Sequence, residues 1–509
     1  METKTAAIEM RNITKRFGPV LANDKVWLNI YRGEILALLG ENGSGKTTLM
    51  NMLSGIYFPD EGEIKIDGKE VVIRSPKDAF DNGIGMIHQH FKLVDVLTAA
   101  ENIVLGLPGK LDLKAASAKI REICDKYGFS VDPAQKIYDM SVSQKQTVEI
   151  VKVLYRGADI LILDEPTAVL TPQETDKLFA VLRNMRNDGK AIVIITHKMH
   201  EVEALSDRVA ILRHGQFIGD MLTAHTNAQE MTNMMVGHAV SLNIERPDPV
   251  DPKPRLEVKG LTVRSVDGIV KLDDVSFTAN SGEILGIAGI SGCGQKELLE
   301  AIAGLQTVES GSISYIEDDG SREELIGKDP LSIAELGVSL SFVPEDRLGM
   351  GLVGNMNLAD NMMLRSFRRG KSIFTDRRSP RALAESVVQE LSVSTPSVDT
   401  PVRRLSGGNV QKVLVGREIA SAPTVLLTAY AVRGLDIHSS YTIYDLINRQ
   451  KKAGVAVIFV GEDLDVLLEL CDRILVLCGG KVSGIVSGRG AEKREVGMMM
   501  TKLGGQSHE

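Results

Sequence analysis

The chain has 509 residues, of which 43% are hydrophobic and 25% charged, as in an ordinary globular protein of two or three domains. Aromatic residues make up 4% and the formal net charge is −8, which weighs against base-stacking surfaces, ring-lined sugar clefts and generic nucleic-acid binding. The apolar runs fall short of the roughly 20 residues of a membrane-spanning helix, and the N-terminus lacks a signal-peptide core.

The predicted elements of the first half alternate between short apolar runs and longer amphipathic segments. The runs at 34–39, 160–163 and 192–195 are rich in Ile, Leu and Val, which is typical of parallel strands buried on both faces. The pattern over Thr171 to Asp188 predicts a helix that crosses between two such strands. These signals indicate an α/β fold with a mostly parallel sheet.

A glycine-rich segment follows the first of these strands. Gly40–Thr47 matches G-x-x-x-x-G-K-[ST] in full, and a predicted helix comes directly after it. Glycines let backbone N–H groups approach a phosphate, and the helix N-terminus adds a positive dipole. Lys46 would reach the β- and γ-phosphates, and the Thr47 hydroxyl would ligate Mg²⁺. The residues expected to bind the nucleotide here are Gly40, Asn42, Gly43, Ser44, Gly45, Lys46, Thr47 and Thr48.

A later apolar strand delivers two carboxylates to its C-terminal end, in Leu161–Glu165. Asp164 would lie behind the water shell of Mg²⁺, and Glu165 would polarise the attacking water as a general base. Alone, an apolar run followed by Asp-Glu is a weak signal, because many strands end in a polar turn. Here Asp164 comes 118 residues after Lys46, with other motifs between them, and this order makes the Asp-Glu pair a strong signal.

The second half of the chain repeats the first. The recurring pairs are Gly33–Gly40 with Gly282–Gly289, Met140–Gln144 with Leu405–Asn409, and Ser206–Val209 with Cys471–Ile474. Four prolines within Arg246–Pro254 separate the copies and predict an extended, semi-rigid linker. The expected domains are residues 1–243 and 256–509, joined by a linker at 244–255.

Taken in chain order, the motifs of the first copy resemble those of the ATP-binding-cassette ATPases: the phosphate loop, Gln89, Met140–Gln144, Asp164–Glu165 and His197. The resemblance implies two tandem P-loop NTPase domains, each with a mostly parallel sheet, an antiparallel β subdomain and a helical subdomain. It also implies ATP and Mg²⁺ as ligands, with Phe17 stacked on adenine. The implied catalytic residues are Glu165, His197 and Gln89, and the implied metal ligands are Thr47, Gln89 and Asp164.

The second copy lacks the residues that carry this chemistry. In chain order the replacements are Gln295 for Lys46, Lys296 for Thr47, Glu345 for Gln89, Ala429 and Tyr430 for Asp164 and Glu165, and Glu462 for His197. A glutamate that faces a γ-phosphate repels it. We therefore expect that the phosphate loop of the second copy does not support ATP hydrolysis.

The signature element shows the opposite pattern, because it is intact in the second copy and altered in the first. The intact residues are Ser406, Gly407, Gly408 and the inter-domain aspartate Asp436. In the first copy Ser143 replaces the second glycine and Thr171 replaces the aspartate. Cassettes of this family pair head to tail, so each nucleotide lies between one phosphate loop and the other domain's signature. The chain is thus expected to form a pseudo-dimer by itself, with one active and one degenerate ATP site.

Two fused cassettes with a glutamine in the second phosphate loop resemble the ATPase subunit of bacterial importers for simple sugars and nucleosides. Segments 97–102 and 154–159 favour the nucleoside branch, and a ribose- or galactose-type sugar importer is the alternative. The resemblance implies two integral-membrane permease subunits, an extracellular solute-binding protein, no nucleic-acid partner and a position on the cytoplasmic face of the cell membrane. A translation or DNA-repair ATPase with two cassettes is disfavoured by the short linker and the charge of −8.

Overall fold

The fold is seen in a computed structural model. It describes residues 6–18, 20–88, 91–109, 111–167, 170–196, 198–237, 244–265, 267–290, 292–342, 348, 351–364, 366–367, 375–420, 423–432, 435, 437–461 and 463–501. The chain divides into a first unit, Met1–Ser241, and a second unit, Leu242–Glu509. Within the described ranges no helix has the length and apolar character that a membrane crossing requires.

The first unit contains ten strands and eight helices in its described part. The strands are β1 (Ala6–Phe17), β2 (Val20–Tyr31), β3 (Ile35–Leu39), β4 (Glu61–Ile66), β5 (Lys69–Val71), β6 (Ile84–Ile87), β7 (Ile160–Asp164), β8 (Ala191–Ile195), β9 (Arg208–Arg213) and β10 (Gln216–Leu222). The helices are α1 (Lys46–Leu53), α2 (Pro76–Asp81), α3 (Ala99–Val104), α4 (Leu113–Tyr127), α5 (Val142–Tyr155), α6 (Pro172–Asn187), α7 (Met199–Leu205) and α8 (Ala228–Val236).

Two sheets organise the first unit. An antiparallel sheet has the order β2-β1-β4-β5, and a six-stranded sheet has the order β10-β9-β3-β8-β7-β6. In the larger sheet β9, β3, β8, β7 and β6 are parallel and only β10 is antiparallel. Every residue of β3, β7 and β8 is buried, as the continuous apolar runs predict. The predicted α/β fold with a mostly parallel sheet is therefore confirmed, and the C-terminal ends of β3, β6, β7 and β8 share one edge.

The two helices predicted individually in the first unit, after the phosphate loop and over Thr171–Asp188, are present as α1 and α6. Helix α6 begins where the Thr171 hydroxyl accepts a bond from the Glu174 N–H at 3.3 Å and Glu174 accepts one from the Thr171 N–H at 2.9 Å. Helices α3, α4 and α5 surround a separate small core that includes Ile103, Ile120 and Val148. This group is the helical subdomain that the resemblance implies.

The second unit has the same numbers of strands and helices in its described part. The strands are β11 (Pro254–Arg264), β12 (Val270–Asn280), β13 (Ile284–Gly289), β14 (Ser310–Ile316), β15 (Arg322–Glu324), β16 (Val338–Phe342), β17 (Val425–Ala429), β18 (Ala456–Val460), β19 (Arg473–Cys478) and β20 (Lys481–Ser487). The helices are α9 (Gln295–Ile302), α10 (Pro330–Glu335), α11 (Leu358–Met363), α12 (Arg378–Glu390), α13 (Gly407–Ile419), α14 (Ile437–Lys452), α15 (Leu464–Leu470) and α16 (Lys493–Met499).

The sheets of the second unit repeat those of the first strand by strand. Their orders are β12-β11-β14-β15 and β16-β17-β18-β13-β19-β20, which match the first unit's two sheets position for position. The repeat seen in the sequence is therefore a repeat of the whole topology. Side-chain differences between the two units can be read at equivalent backbone positions.

The proline-rich segment is tied to the second unit by hydrogen bonds. The Arg246 guanidinium donates to the carbonyls of Leu468 and Cys471, at 2.8 and 2.6 Å. The Asn448 amide donates to the Glu245 carbonyl at 2.6 Å. These bonds fix the path of residues 245–246 along their own unit.

Candidate phosphate-binding site

The phosphate loop joins β3 to α1 and has no room for side chains at two of its glycines. A Cβ atom on Gly40 would lie 2.2 Å from the Leu212 carbonyl oxygen, and one on Gly45 would lie 2.3 Å from the Ala22 carbonyl oxygen. Gly45 also has a φ of 95°, in the left-handed region that favours glycine. These close approaches explain why the motif needs glycine at both ends of the loop.

Lys46 is held inside this loop. Its ammonium group donates to the carbonyls of Gly40 and Glu41, at 2.7 and 2.9 Å, and the residue is 8% exposed. Burial lowers the pKa of Lys46, while the nearby carboxylates of Glu165 and Asp164 oppose that shift. The loop thus encloses a cation at the position where the sequence predicts contact with the β- and γ-phosphates.

Thr47 and the end of β7 meet beside the loop. The Thr47 hydroxyl donates to the Asp164 carboxylate at 3.2 Å. Burial raises the pKa of Asp164, and repulsion from the neighbouring Glu165 is a second, smaller cause of the same shift. Glu165 itself has a φ of 47°, and its N–H donates to the Ile195 carbonyl at 2.9 Å. This left-handed residue turns the chain sharply after Asp164, the last residue of β7, so Glu165 does not continue along the strand.

The residues present fit a magnesium–nucleotide ligand. The Ser44 hydroxyl is buried without a hydrogen-bond partner, which is unusual for a buried polar group and suits a phosphate oxygen. A threonine hydroxyl and a carboxylate are oxygen ligands of the kind Mg²⁺ prefers. In the described part of the chain no cluster of three or more His, Cys, Asp or Glu could hold a metal. Mg²⁺ in nucleotide sites is commonly held by one or two protein oxygens together with the phosphates of the substrate.

The predicted adenine-stacking residue lies at the end of β1. Phe17 is 41% exposed, and its ring stands edge-on to the Tyr57 ring with centroids 5.1 Å apart. The Lys15 ammonium lies 5.6 Å from the Phe17 ring centroid. The partner strand β2 carries Ala22, whose carbonyl approaches the phosphate loop at Gly45. Tyr57 gave no motif signal, and sequence reasoning missed it.

Three of the sequence-predicted residues, Gln89, His197 and Asp436, lie outside the described residues. Their flanking elements are described: β6 ends at Ile87, two residues before Gln89, and β8 ends at Ile195, two residues before His197. Both strands are parallel neighbours of β7 in the sheet. Glu345 and Glu462 of the second copy also lie outside the described residues.

In the second unit the backbone of the phosphate site is retained while its side chains differ. Gly294 has a φ of 100° at the start of α9, close to the value of its counterpart Gly45. The Gln295 amide donates to the Ile290 carbonyl at 3.2 Å and leaves the loop without a buried cation at this position. Tyr430 has a φ of 55°, and its N–H donates to the Val460 carbonyl at 2.9 Å, as the Glu165 N–H does to Ile195.

The two signature segments each begin a helix. Ser406 caps α13 and accepts from the Asn409 side-chain amide at 2.9 Å, with Gly407 and Gly408 in the first turn. Among the described residues, a Cβ atom on Gly408 would meet Leu435 alone, at an ordinary contact distance of 3.7 Å, so none of them requires glycine there. In the first unit the Ser141 hydroxyl caps α5 by accepting from the Gln144 backbone N–H at 3.2 Å, and Ser143 occupies the position of Gly408.

A buried glutamine links each signature helix to the segment just after the strand that ends at Asp164 or at Ala429. The Gln146 amide on α5 donates to the Pro166 carbonyl, and the Gln411 amide on α13 donates to the Ala431 carbonyl. Both glutamines stand five residues after the capping serine of their helix. Comparison of the two copies in the sequence could have revealed Gln146 and Gln411, because both copies keep this glutamine although the second copy lacks the catalytic side chains.

Comparisons with known proteins agree with these motifs. The family model described as ABC transporter matches residues 23–168 and 272–428. The chain is 42% identical to the nucleoside import ATP-binding protein NupA of Lactococcus lactis, over 99% of each chain. It is 41% identical to the guanosine import ATP-binding protein NupO of Bacillus subtilis, over 97% of each chain. It is 38% identical to the ribose import ATP-binding protein RbsA 1 of Rubrobacter xylanophilus, over 96% of this chain and 97% of that protein.

Among solved structures the chain is similar to the archaeal ribosome recycling factor aABCE1, solved with the ribosomal stalk protein aP1. The TM-score is 0.60, and the match covers 91% of this chain and 87% of that one. Sequence identity is 16%, so this similarity concerns the fold alone.

Proposed function

The chain belongs to the ABC transporter family, and from that premise we propose that it is the ATP-hydrolysing subunit of an importer for nucleosides. The observation that carries the ATPase proposal is the joint placement of enclosed Lys46, Thr47 and Asp164 around one phosphate loop. The nucleoside cargo is supported by the similarity to NupA and NupO, at 42% and 41% identity. A ribose-type sugar is the second candidate, supported by the similarity to RbsA 1 at 38%.

We propose that the first unit's phosphate loop forms the active site and that the second unit's loop is degenerate. In the active site Lys46 would neutralise the β- and γ-phosphates, and Glu165 would orient and deprotonate the attacking water. Bound Mg²⁺ would supply charge neutralisation at the phosphate oxygens. Gln89 and His197, which follow β6 and β8 by two residues in the sequence, would complete the set of residues that contact the γ-phosphate.

The second unit would contribute its signature to that same nucleotide. Ser406, Gly407, Gly408 and Asp436 are the residues proposed for this role. Support comes from Gly408, because no described residue of its own unit lies closer than 3.7 Å to a Cβ atom there. A requirement for glycine would then come from close approach of a ligand. The first unit's counterparts, Ser143 and the helix-capping Thr171, would serve the degenerate site less well.

We further propose that two membrane-embedded permease subunits bind this chain at the cytoplasmic face of the membrane and that an external binding protein delivers the cargo. The segment after Gln89 exposes apolar side chains that suit a protein partner, among them Val94, Val96 and Leu105. Purified with its permease and reconstituted in vesicles, the complex should hydrolyse ATP faster when a nucleoside and its binding protein are present. Stimulation by ribose but not by nucleosides would move the assignment to the sugar branch.

The asymmetry has its own test. Lys46→Ala and Glu165→Gln should each abolish ATPase activity, whereas Gln295→Ala should leave most of it. Gln295 is the matched control because it occupies the same loop position as Lys46 in the second unit. Comparable losses in all three variants would refute the assignment of a single active site.

A further inference from the structure

A buried carboxylate outside the known motifs lies behind the phosphate site. Glu201, in the first turn of α7, is 4% exposed. Its carboxylate accepts a hydrogen bond from the Thr167 hydroxyl and another from the Thr196 hydroxyl, the latter at 3.2 Å. The Lys198 ammonium forms an ion pair with it at 3.2 Å. Charge-assisted bonds of this kind are stronger than neutral ones and fix their partners firmly.

These partners belong to the two loops that carry the proposed catalytic groups. Thr167 follows Glu165 by two residues, and Thr196 and Lys198 stand on either side of position 197. The Lys198 N–H also donates to the Thr196 hydroxyl at 3.1 Å, which closes the network around that position. One carboxylate thus joins the loop after β7 to the loop after β8.

The second unit provides an internal comparison. At the equivalent positions it has Val432 for Thr167, Gly461 for Thr196, Asp463 for Lys198 and Val466 for Glu201. Val432 and Val466 pack against that unit's hydrophobic core, and Asp463 caps α15. The whole polar network is absent from the described part of the unit that also lacks the catalytic carboxylates, although the strands and helices around it are the same.

We propose that Glu201 is a positioning residue for ATP hydrolysis, which holds the Glu165 loop and the position-197 loop in one fixed relative arrangement. The inference rests on the proposed ATPase activity of the first unit. A misplacement of about 1 Å at reacting groups can cost roughly 100-fold in rate. A tie between the two loops would therefore act on the chemical step, while the phosphate loop, which Glu201 does not touch in any described contact, would still bind ATP.

The test compares turnover, ATP binding and thermal stability in matched variants of the full chain. Glu201→Gln keeps the size of the side chain, but its amide has one acceptor oxygen and cannot receive both hydroxyls and the ammonium group. We expect kcat to fall about 10- to 100-fold with ATP affinity within about twofold of the wild type. Glu201→Asp, which retains the charge, should recover part of the rate.

Two further variants separate positioning from stability. Thr167→Val combined with Glu201→Val installs the pair found in the second unit and removes the carboxylate together with one of its two buried hydroxyl donors, so it should lose less stability than Glu201→Val alone. Its melting temperature should lie above that of Glu201→Val while kcat stays equally low. Glu34→Gln is the control, since Glu34 is 5% exposed and ion-paired to Arg208 before β3, away from the phosphate loop; it should lower stability without a matching loss of kcat.

The outcomes are distinct. If Glu201→Gln retains wild-type kcat, or if the double variant recovers rate along with stability, Glu201 has only a structural role and the inference fails. A rise in KM at unchanged kcat would also overturn it. If the wild-type chain shows no ATP hydrolysis in complex with its permease, it is the proposed function that fails.

Discussion

Replacing Asp164 by Asn is expected to stabilise the nucleotide-free protein while it removes ATP hydrolysis. Asp164 is 8% exposed at the end of β7, next to Glu165. Burial and that neighbouring carboxylate raise its pKa, which means that the ionised form is disfavoured in the folded chain. Asn has nearly the same shape and retains an oxygen that can accept the bond from the Thr47 hydroxyl.

The pH dependence follows from the sign of this shift. For a carboxyl group with a raised folded-state pKa, the associated stability is fully present below the unfolded-state value of about 3.9. It is lost as the pH rises through the higher folded-state value. The stability advantage of Asp164→Asn should therefore grow across that window and stay constant at neutral pH. Gains from removing such functional strain are commonly about 1 kcal/mol, or roughly 2–4 °C in Tm for a unit of this size.

The assay is a thermal melt of both proteins without nucleotide across the acid to neutral range, with ATPase rates measured in parallel. Asp159→Asn is the matched control, because Asp159 stands just before the other end of β7 and forms an exposed ion pair with Lys190 at 2.9 Å. It should change stability by less than about 1 kcal/mol and spare the ATPase rate. A lower Tm for Asp164→Asn at neutral pH, or an advantage that grows toward acid pH, would refute the reasoning.

Three further variants probe the same site. Gly45→Ala should destabilise the chain by about 1–3 kcal/mol and abolish ATP binding, because the added Cβ would lie 2.3 Å from a backbone oxygen at a residue with a φ of 95°. Gly128→Ala is the control: this glycine also has a positive φ but lies in open space, so the change should cost about 1 kcal/mol and leave ATP binding intact. Phe17→Ala should weaken ATP affinity by about 1–3 kcal/mol with little change in Tm, because the ring is 41% exposed. Gly408→Ala should leave the free energy of unfolding within about 0.5 kcal/mol of the wild type and reduce ATPase activity, since no described residue lies closer than 3.7 Å to the added Cβ.

Each of these variants has an outcome that contradicts its premise. ATP binding by Gly45→Ala at wild-type strength would mean that the loop tolerates displacement. Unchanged ATP affinity in Phe17→Ala would mean that the Phe17 ring does not contact the nucleotide. Full activity in Gly408→Ala would remove the support that this residue gives to the signature's proposed role. Calorimetric binding of ATP, thermal melts and steady-state ATPase rates cover all three.

Local signals in the sequence were sufficient for the elements that position the site. Helix α6 extends over Pro172–Asn187 because its cap, its proline and its apolar period all lie within the segment itself. The phosphate loop was equally predictable, since its glycines and Lys46 are neighbours in the chain. In both cases the residues that carry the signal are neighbours in the chain, although the phosphate loop also packs against the distant carbonyls of Leu212 and Ala22.

Contacts between distant segments were not predictable from the same patterns. Glu201 reaches Thr167 across 34 residues, and Arg246 reaches Cys471 across 225. A lone glutamate in a short helix carries no motif, and a proline-rich stretch gives no indication of which surface it follows. Such pairings depend on the register of the whole sheet, which apolar periodicity does not specify.

The left-handed turn at Tyr430 has a consequence for protein engineering. A non-glycine residue in this conformation costs of order 1–3 kcal/mol. The second unit nevertheless retains the conformation at Tyr430, where the first unit has the carboxylate of Glu165. Together with the retained loop at Gly294, the turn means that the second unit still has the frame of a nucleotide site. Restoring catalysis there would begin with exchanged side chains on this described backbone, Gln295→Lys and Tyr430→Glu.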